Sequence, residues 1–152
     1  MSKVEEKILE LGLELPKIST PIASYIPAKK VGNLVFTSGQ LPMVNGELTI
    51  TGFLGKEVSI EDANRAAQVC TLNALAAVKG VIGDLDQIKS IIRVVGYVAS
   101  TPEFTKQPAV VNGASDLLLQ IFGDEGKHAR SAIGVSALPL NAPVEIELTV
   151  EI

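Results

Sequence analysis

The sequence predicts an α+β fold, on three observations. At the C-terminus Val144, Ile146, Leu148, Val150 and Ile152 alternate with Glu145, Glu147, Thr149 and Glu151. That is the period of a strand with one face buried. Between Ser59 and Gly83, Ala63, Ala66, Ala67, Cys70, Ala74, Ala77, Val78 and Val81 recur at helical spacing, the apolar stripe of a helix on a core. Ile88 to Ser100 is rich in β-branched residues and reads as a buried strand. At 152 residues the chain is long enough for one core, so residues 1–152 are expected to be a single domain, with 1–16 a short helical extension.

Each element has its own local signal. Val4, Ile8, Leu11 and Leu13 beside Glu5, Glu6 and Lys7 suit an amphipathic helix ended near Gly12 and Pro16. Pro16 to Pro27 is broken by prolines and is expected to be extended or loop. Asn33 to Ser38 reads as a strand after the turn-like Val31-Gly32-Asn33. Asn45-Gly46 predicts a hairpin reversal. Ser59 is placed to cap the alanine-rich helix, with Glu61 and Asp62 where the helix dipole favours acid. Thr101-Pro102 reads as the cap and first residue of a second helix that runs to about Phe122, with Pro108 favouring a later start. Gly123 and Gly126 close it.

Before the last strand, Ser131, Ile133, Val135 and Ala137 alternate with Arg130, Ala132, Gly134 and Ser136. Paired with the last strand as a tight hairpin, with Leu138 opposite Pro143, both apolar sets share one face. Arg130 then falls opposite Glu151, on the open face with the glutamates. Helices cover one side of such a sheet, and the other side stays open.

Composition narrows the function. Thirteen Lys+Arg against seventeen Asp+Glu give a net charge of −4, the wrong sign for sequence-blind binding to phosphate. One cysteine and one histidine leave no disulfide and no multi-ligand metal motif. There is no GxGxxG or Walker A loop, so no cofactor is expected. Met1 to Lys7 carries no apolar signal segment, and no apolar run approaches bilayer-spanning length, which makes the cytoplasm the expected compartment and a membrane an unexpected partner. At 47% apolar, 20% charged and a mean hydropathy of +0.34, the chain is expected to bury surface against other copies of itself.

Candidate chemistry is sparse. His128, in Gly126-Lys127-His128-Ala129, has no nucleophile motif nearby and reads as a structural or surface histidine. Cys70, in the alanine stripe, reads as a buried, inert thiol. Thr37-Ser38-Gly39-Gln40 is either a strand exit or a place where backbone approaches a ligand. Arg130 is either a strand-end ion pair or a fork for a carboxylate. Glu145, Glu147 and Glu151 are either a solvated face or include a group that orients water.

Two blocks carry a resemblance. Val31-Gly32-Asn33-Leu34-Val35-Phe36-Thr37-Ser38-Gly39-Gln40-Leu41-Pro42, followed by Ala129-Arg130-Ser131-Ala132, Leu138-Pro139 and Val144-Glu145-Ile146-Glu147, resembles the reactive intermediate deaminase (RidA/YjgF) family, also described as endoribonuclease L-PSP-like. The likeness spans roughly Tyr25 to Ile152. It implies a chorismate-mutase-like fold, a mixed sheet with two main helices on one face, assembled as a homotrimer. It also implies a hydrolase that converts 2-imino acids of the 2-aminoacrylate type to 2-oxo acids and ammonia in a cleft between subunits, without metal or cofactor.

By this resemblance Arg130 binds the substrate carboxylate and Glu145 activates water. Tyr25, Ser38, Gly39, Asn112 and Ala132 line the cleft. Ala23-Ser24-Tyr25-Ile26-Pro27 stands where the family has Gly-Pro-Tyr-Ser-Gln, and Ala132 where cysteine is common, which marks a divergent member. The alternatives are a non-catalytic trimer that senses small carboxylates, or an endoribonuclease or translation inhibitor. The acidic charge and few aromatics argue against RNA as a partner.

Overall fold

The computed structural model describes residues 1–18 and 23–152. Of the stretch expected to be extended or loop, residues 19–22 lie outside the described residues, and the described remainder forms no helix or strand. The chain runs α1 (Lys3–Glu10), β1 (Ala28–Val31), β2 (Leu34–Thr37), β3 (Met43–Val44), β4 (Glu47–Leu48), α2 (Ile60–Ile82), β5 (Ser90–Ala99), α3 (Gln107–Phe122), β6 (Ala129–Val135) and β7 (Val144–Glu151). Five strands form a mixed sheet in the order β1-β2-β7-β5-β6, with α2 and α3 packed on one face. The Asn45-Gly46 turn makes the small β3–β4 hairpin, both residues at positive φ.

The β6–β7 hairpin does not form. β5 lies between the two strands, parallel to β6 and antiparallel to β7. The reason is α3. A strand, a helix and a strand in succession return the second strand parallel to the first, so β6 takes one edge of β5 and β7 takes the other. The Pro139–Asn141 turn, with Leu140 and Asn141 at φ 58° and 63°, carries the chain past the end of β5.

The pairing reverses the expected face for Arg130. It stands beside Val94, and Ala132 beside Gly96, on the face that the helices cover. Ser131 and Ile133 share the open face with Val95 and Tyr97. Glu151 pairs with Ser90 and Leu34, and Asn33 Nδ2 donates to its carboxylate at 3.4 Å. It is not opposite Arg130.

The alanine stripe of α2 does lie in the core, and Ser59 caps that helix by accepting from Asp62 N at 3.1 Å. Small residues bring the layers close. A Cβ on Gly113 would lie 2.9 Å from the Asn64 backbone carbon, so α2 and α3 cross in backbone contact. A Cβ on Gly96 would meet Val111 Cγ1 at 2.7 Å, so α3 lies directly on β5. Thr101 caps no helix. α3 begins at Gln107 without a side-chain cap, its fixed φ supplied by Pro108 in the first turn. Thr101 closes a separate turn, with its carbonyl accepting from Phe104 N at 3.1 Å.

The N-terminal helix is docked rather than loose. Ser2 and Glu5 form a capping box, and Asp86 accepts from the Lys3 and Val4 amides at 2.9 and 3.0 Å. Ile8 is fully buried, and Lys79 pairs with Glu5. That pairing holds the Glu5 carboxyl below its ordinary range. No helix of the described residues is long and apolar enough to cross a membrane.

Candidate active site

The sequence-predicted residues fall into two groups on opposite faces of the sheet. The first sits where β6 runs beside α3. Arg130 Nη1 donates to Asn112 Oδ1 at 2.8 Å and to Ser115 Oγ at 3.2 Å. Asn112 and Ser115 are three apart on α3 and so share a side of the helix. Among the described residues Arg130 has no carboxylate partner within ion-pair distance. A partly buried guanidinium oriented by neutral oxygens keeps its charge for something else. Ala132 is two residues along β6 on the same face, partly buried against the core.

The second group sits at the start of β7. Glu145 is half-buried on the open face, opposite Tyr97 in the ladder. Burial pushes its carboxyl above the ordinary value, and the Glu147 charge adds to the rise. Gly39 lies against it: a Cβ there would stand 2.8 Å from Glu145 Cδ. Only a residue without a side chain leaves this carboxylate its place. Just before Gly39, Ser38 donates from Oγ to Ile26 O at 2.6 Å and from its amide to Pro27 O at 2.7 Å. These bonds tie the Ile26 and Pro27 carbonyls to the loop that carries Gly39. Tyr25 itself is 58% exposed.

No hydrogen bond among the described residues joins the two groups. Two concavities, of about 340 and 290 Å³, lie elsewhere, the first beside Glu5 and Lys79 and the second beside Asp62 and Arg65. The described residues of a single chain thus present two half-sites, on opposite faces of the sheet.

Two residues that no sequence motif marks, Ser115 and Tyr97, join these groups, and His128, read as a structural or surface histidine, is hydrogen-bonded on both ring nitrogens. Ser115 and His128 stand behind Arg130, with Ser115 Oγ 2.8 Å from His128 Nε2. Tyr97 donates to Glu147 Oε1 at 2.9 Å. Burial, then this bond, raise the Tyr97 phenol above its usual range. The Cys70 thiol is pushed well up by burial, as an inert core thiol should be. Among the described residues no cluster of three or more His, Cys, Asp or Glu is placed to hold a metal.

Comparison with known proteins gives a consistent set of relatives. A family model described as "YjgF/chorismate_mutase-like, putative endoribonuclease" matches residues 5–152. Protein TCP17 of Trypanosoma cruzi is 38% identical, over 99% of this chain and 94% of its own. A 2-iminobutanoate/2-iminopropanoate deaminase of Dermatophagoides farinae is 30% identical, over 92% of this chain and 94% of its own. The crystal structure of protein Atu1372 from Agrobacterium tumefaciens, of unknown function, superposes with a TM-score of 0.91 at 45% identity, covering 98% of this chain and 91% of that one.

Proposed function

Because this chain belongs to the YjgF/chorismate mutase-like family, with RidA-like relatives, we propose that it is an enamine/imine deaminase acting on small 2-imino acids. The observation that carries the reading is the Arg130 guanidinium, oriented by Asn112 and Ser115 yet, among the described residues, without a carboxylate partner. The deaminase name of the Dermatophagoides farinae relative supports the reaction class.

The reaction is a hydrolysis. An enamine such as 2-aminoacrylate first tautomerises to the imine. Water adds to the C=N carbon, the carbinolamine collapses, the C–N bond breaks, and a 2-oxo acid and ammonia leave. Arg130 grips the carboxylate in bidentate fashion and fixes the imine carbon. Glu145 accepts a proton from the attacking water and passes it to the departing nitrogen. Its raised carboxyl suits both roles better than an ordinary glutamate would. Ser38, Gly39 and Tyr25 line the water side, and Asn112 and Ala132 the carboxylate side. Such imines hydrolyse unaided, so orientation and a proton-transfer gain of roughly 10²–10⁴-fold suffice.

Since Arg130 and Glu145 face opposite ways in one chain, the site takes Arg130 from one copy and Glu145 from another, in the clefts of a homotrimer. The test is release of 2-oxo acid from freshly generated 2-aminoacrylate, followed with lactate dehydrogenase. Wild type should accelerate it, and Arg130→Ala should lose most of the acceleration while keeping the oligomer. Equal rates in both would overturn the reading, and saturable binding of 2-oxobutyrate without acceleration would replace it with sensing.

A further inference from the structure

We propose that His128 and Ser115 are positioning residues that aim the Arg130 guanidinium, through a hydrogen-bond relay anchored on the Gly126 carbonyl. The inference rests on the carboxylate-binding reading of Arg130 and extends it to residues behind the site.

The atoms fix the direction of each bond. His128 Nδ1 lies 2.6 Å from Gly126 O. A carbonyl only accepts, so Nδ1 carries a proton. Arg130 Nη1 only donates, so Ser115 Oγ accepts from it at 3.2 Å. The serine hydrogen is then available for Nε2, 2.8 Å away. In the neutral Nδ1–H tautomer every donor and acceptor in the chain is used once: Arg130 to Ser115, Ser115 to His128, His128 to Gly126. Asn112 takes the second bond from Nη1.

The relay has rigid ends. Gly126 is buried, and a Cβ there would lie 2.9 Å from the Leu118 carbonyl carbon, so the backbone carrying the anchor carbonyl is pressed onto α3. Ser115 is on α3 itself. His128 is two residues before Arg130, just ahead of β6, and both side chains reach Ser115. Among the described residues both side-chain bonds to the guanidinium fall on Nη1, and Nη2 and Nε form the fork that a carboxylate would meet. A long flexible arginine that loses this support samples other rotamers and meets its ligand less often in the right orientation.

The test compares Ser115→Ala, His128→Leu and His128→Gln with Arg130→Ala. Calorimetric affinity for 2-oxobutyrate and steady-state deamination are measured, with melting temperature and oligomer size as controls. Ser115→Ala and His128→Leu should each weaken binding and raise KM on the order of tenfold, the usual cost of losing a support to a charged or ligating group, with kcat much less changed. Combining the two should cost little beyond either alone, because they act in series. His128→Gln, whose amide oxygen can still accept from Ser115, should recover most of the affinity. Wild-type affinity in both Ser115→Ala and His128→Leu, with binding lost in Arg130→Ala, would overturn the relay and leave the carboxylate reading standing. Wild-type affinity and turnover in Arg130→Ala would overturn the carboxylate reading and the relay with it.

Discussion

Gly39 and Glu145 occupy space that only one of them can extend into: the glutamate carboxylate fills the volume a side chain on residue 39 would need. The loop after β2 thus sets where the proposed water-activating group stands. Their proximity is made by the short bridge between Gln40 and Ile146, whose amides and carbonyls pair at 2.8 and 3.0 Å.

Gly39→Ala follows from that contact. The residue is not at positive φ, so alanine brings no backbone strain, and the neighbour it displaces is the far end of a flexible side chain. Stability should change little, while the shifted carboxylate should lower kcat/KM by roughly 10²-fold. Thermal melting and the deaminase assay on one sample check both halves.

The raised carboxyl of Glu145 gives a signed prediction for pH. A general base works unprotonated, so kcat/KM should rise through an acid limb above the ordinary carboxylate range. Glu147→Gln removes a like charge and should move that limb to lower pH, though not to the ordinary value, because burial is the larger cause. A pH–rate profile of the two proteins reads the shift.

Stability should move the other way at Glu145. Its folded carboxyl holds a proton to higher pH than the unfolded chain's does. The favourable contribution is complete below the ordinary value and is lost as pH rises through the raised one. Glu145→Gln removes that loss. At neutral pH the variant should therefore melt no lower than wild type while turnover falls by about 10²–10⁴-fold.

Gly113→Ala tests the packing that positions α3, and with it Asn112 and Ser115. The added methyl meets the backbone of α2 at Asn64, which cannot swing aside. The expected loss is about 1–3 kcal/mol of stability or more, measured by denaturant unfolding.

Much of this was legible in the residues. The alternation from Val144 to Ile152, the Ser59 cap and the Asn45-Gly46 turn each have a local cause, and each element stands where that cause puts it. Strand neighbours were not legible from alternation, because period two tells which residues share a face and says nothing of which strand lies alongside. The stronger signal was the order of elements, strand, helix, strand from Ser90 to Val135, which demands a parallel crossover. Reading it would have placed Arg130 beside α3. The Asn112–Ser115 and His128–Arg130 spacings, three on a helix and two at the entry to a strand, would then have pointed at the same spot. Thr101 misled because threonine before proline also opens turns, and Pro108 supplied the helix start instead.

Arg130 and Glu145 are expected to act on one ligand from two different copies of the chain. Refolding an equal mixture of Arg130→Ala and Glu145→Ala chains, each inactive alone, is predicted to restore part of the wild-type deaminase rate, because some clefts then combine an intact Arg130 with a neighbour's intact Glu145. Mixed oligomers that form, as shown by mass, yet stay as inactive as their parents would contradict it.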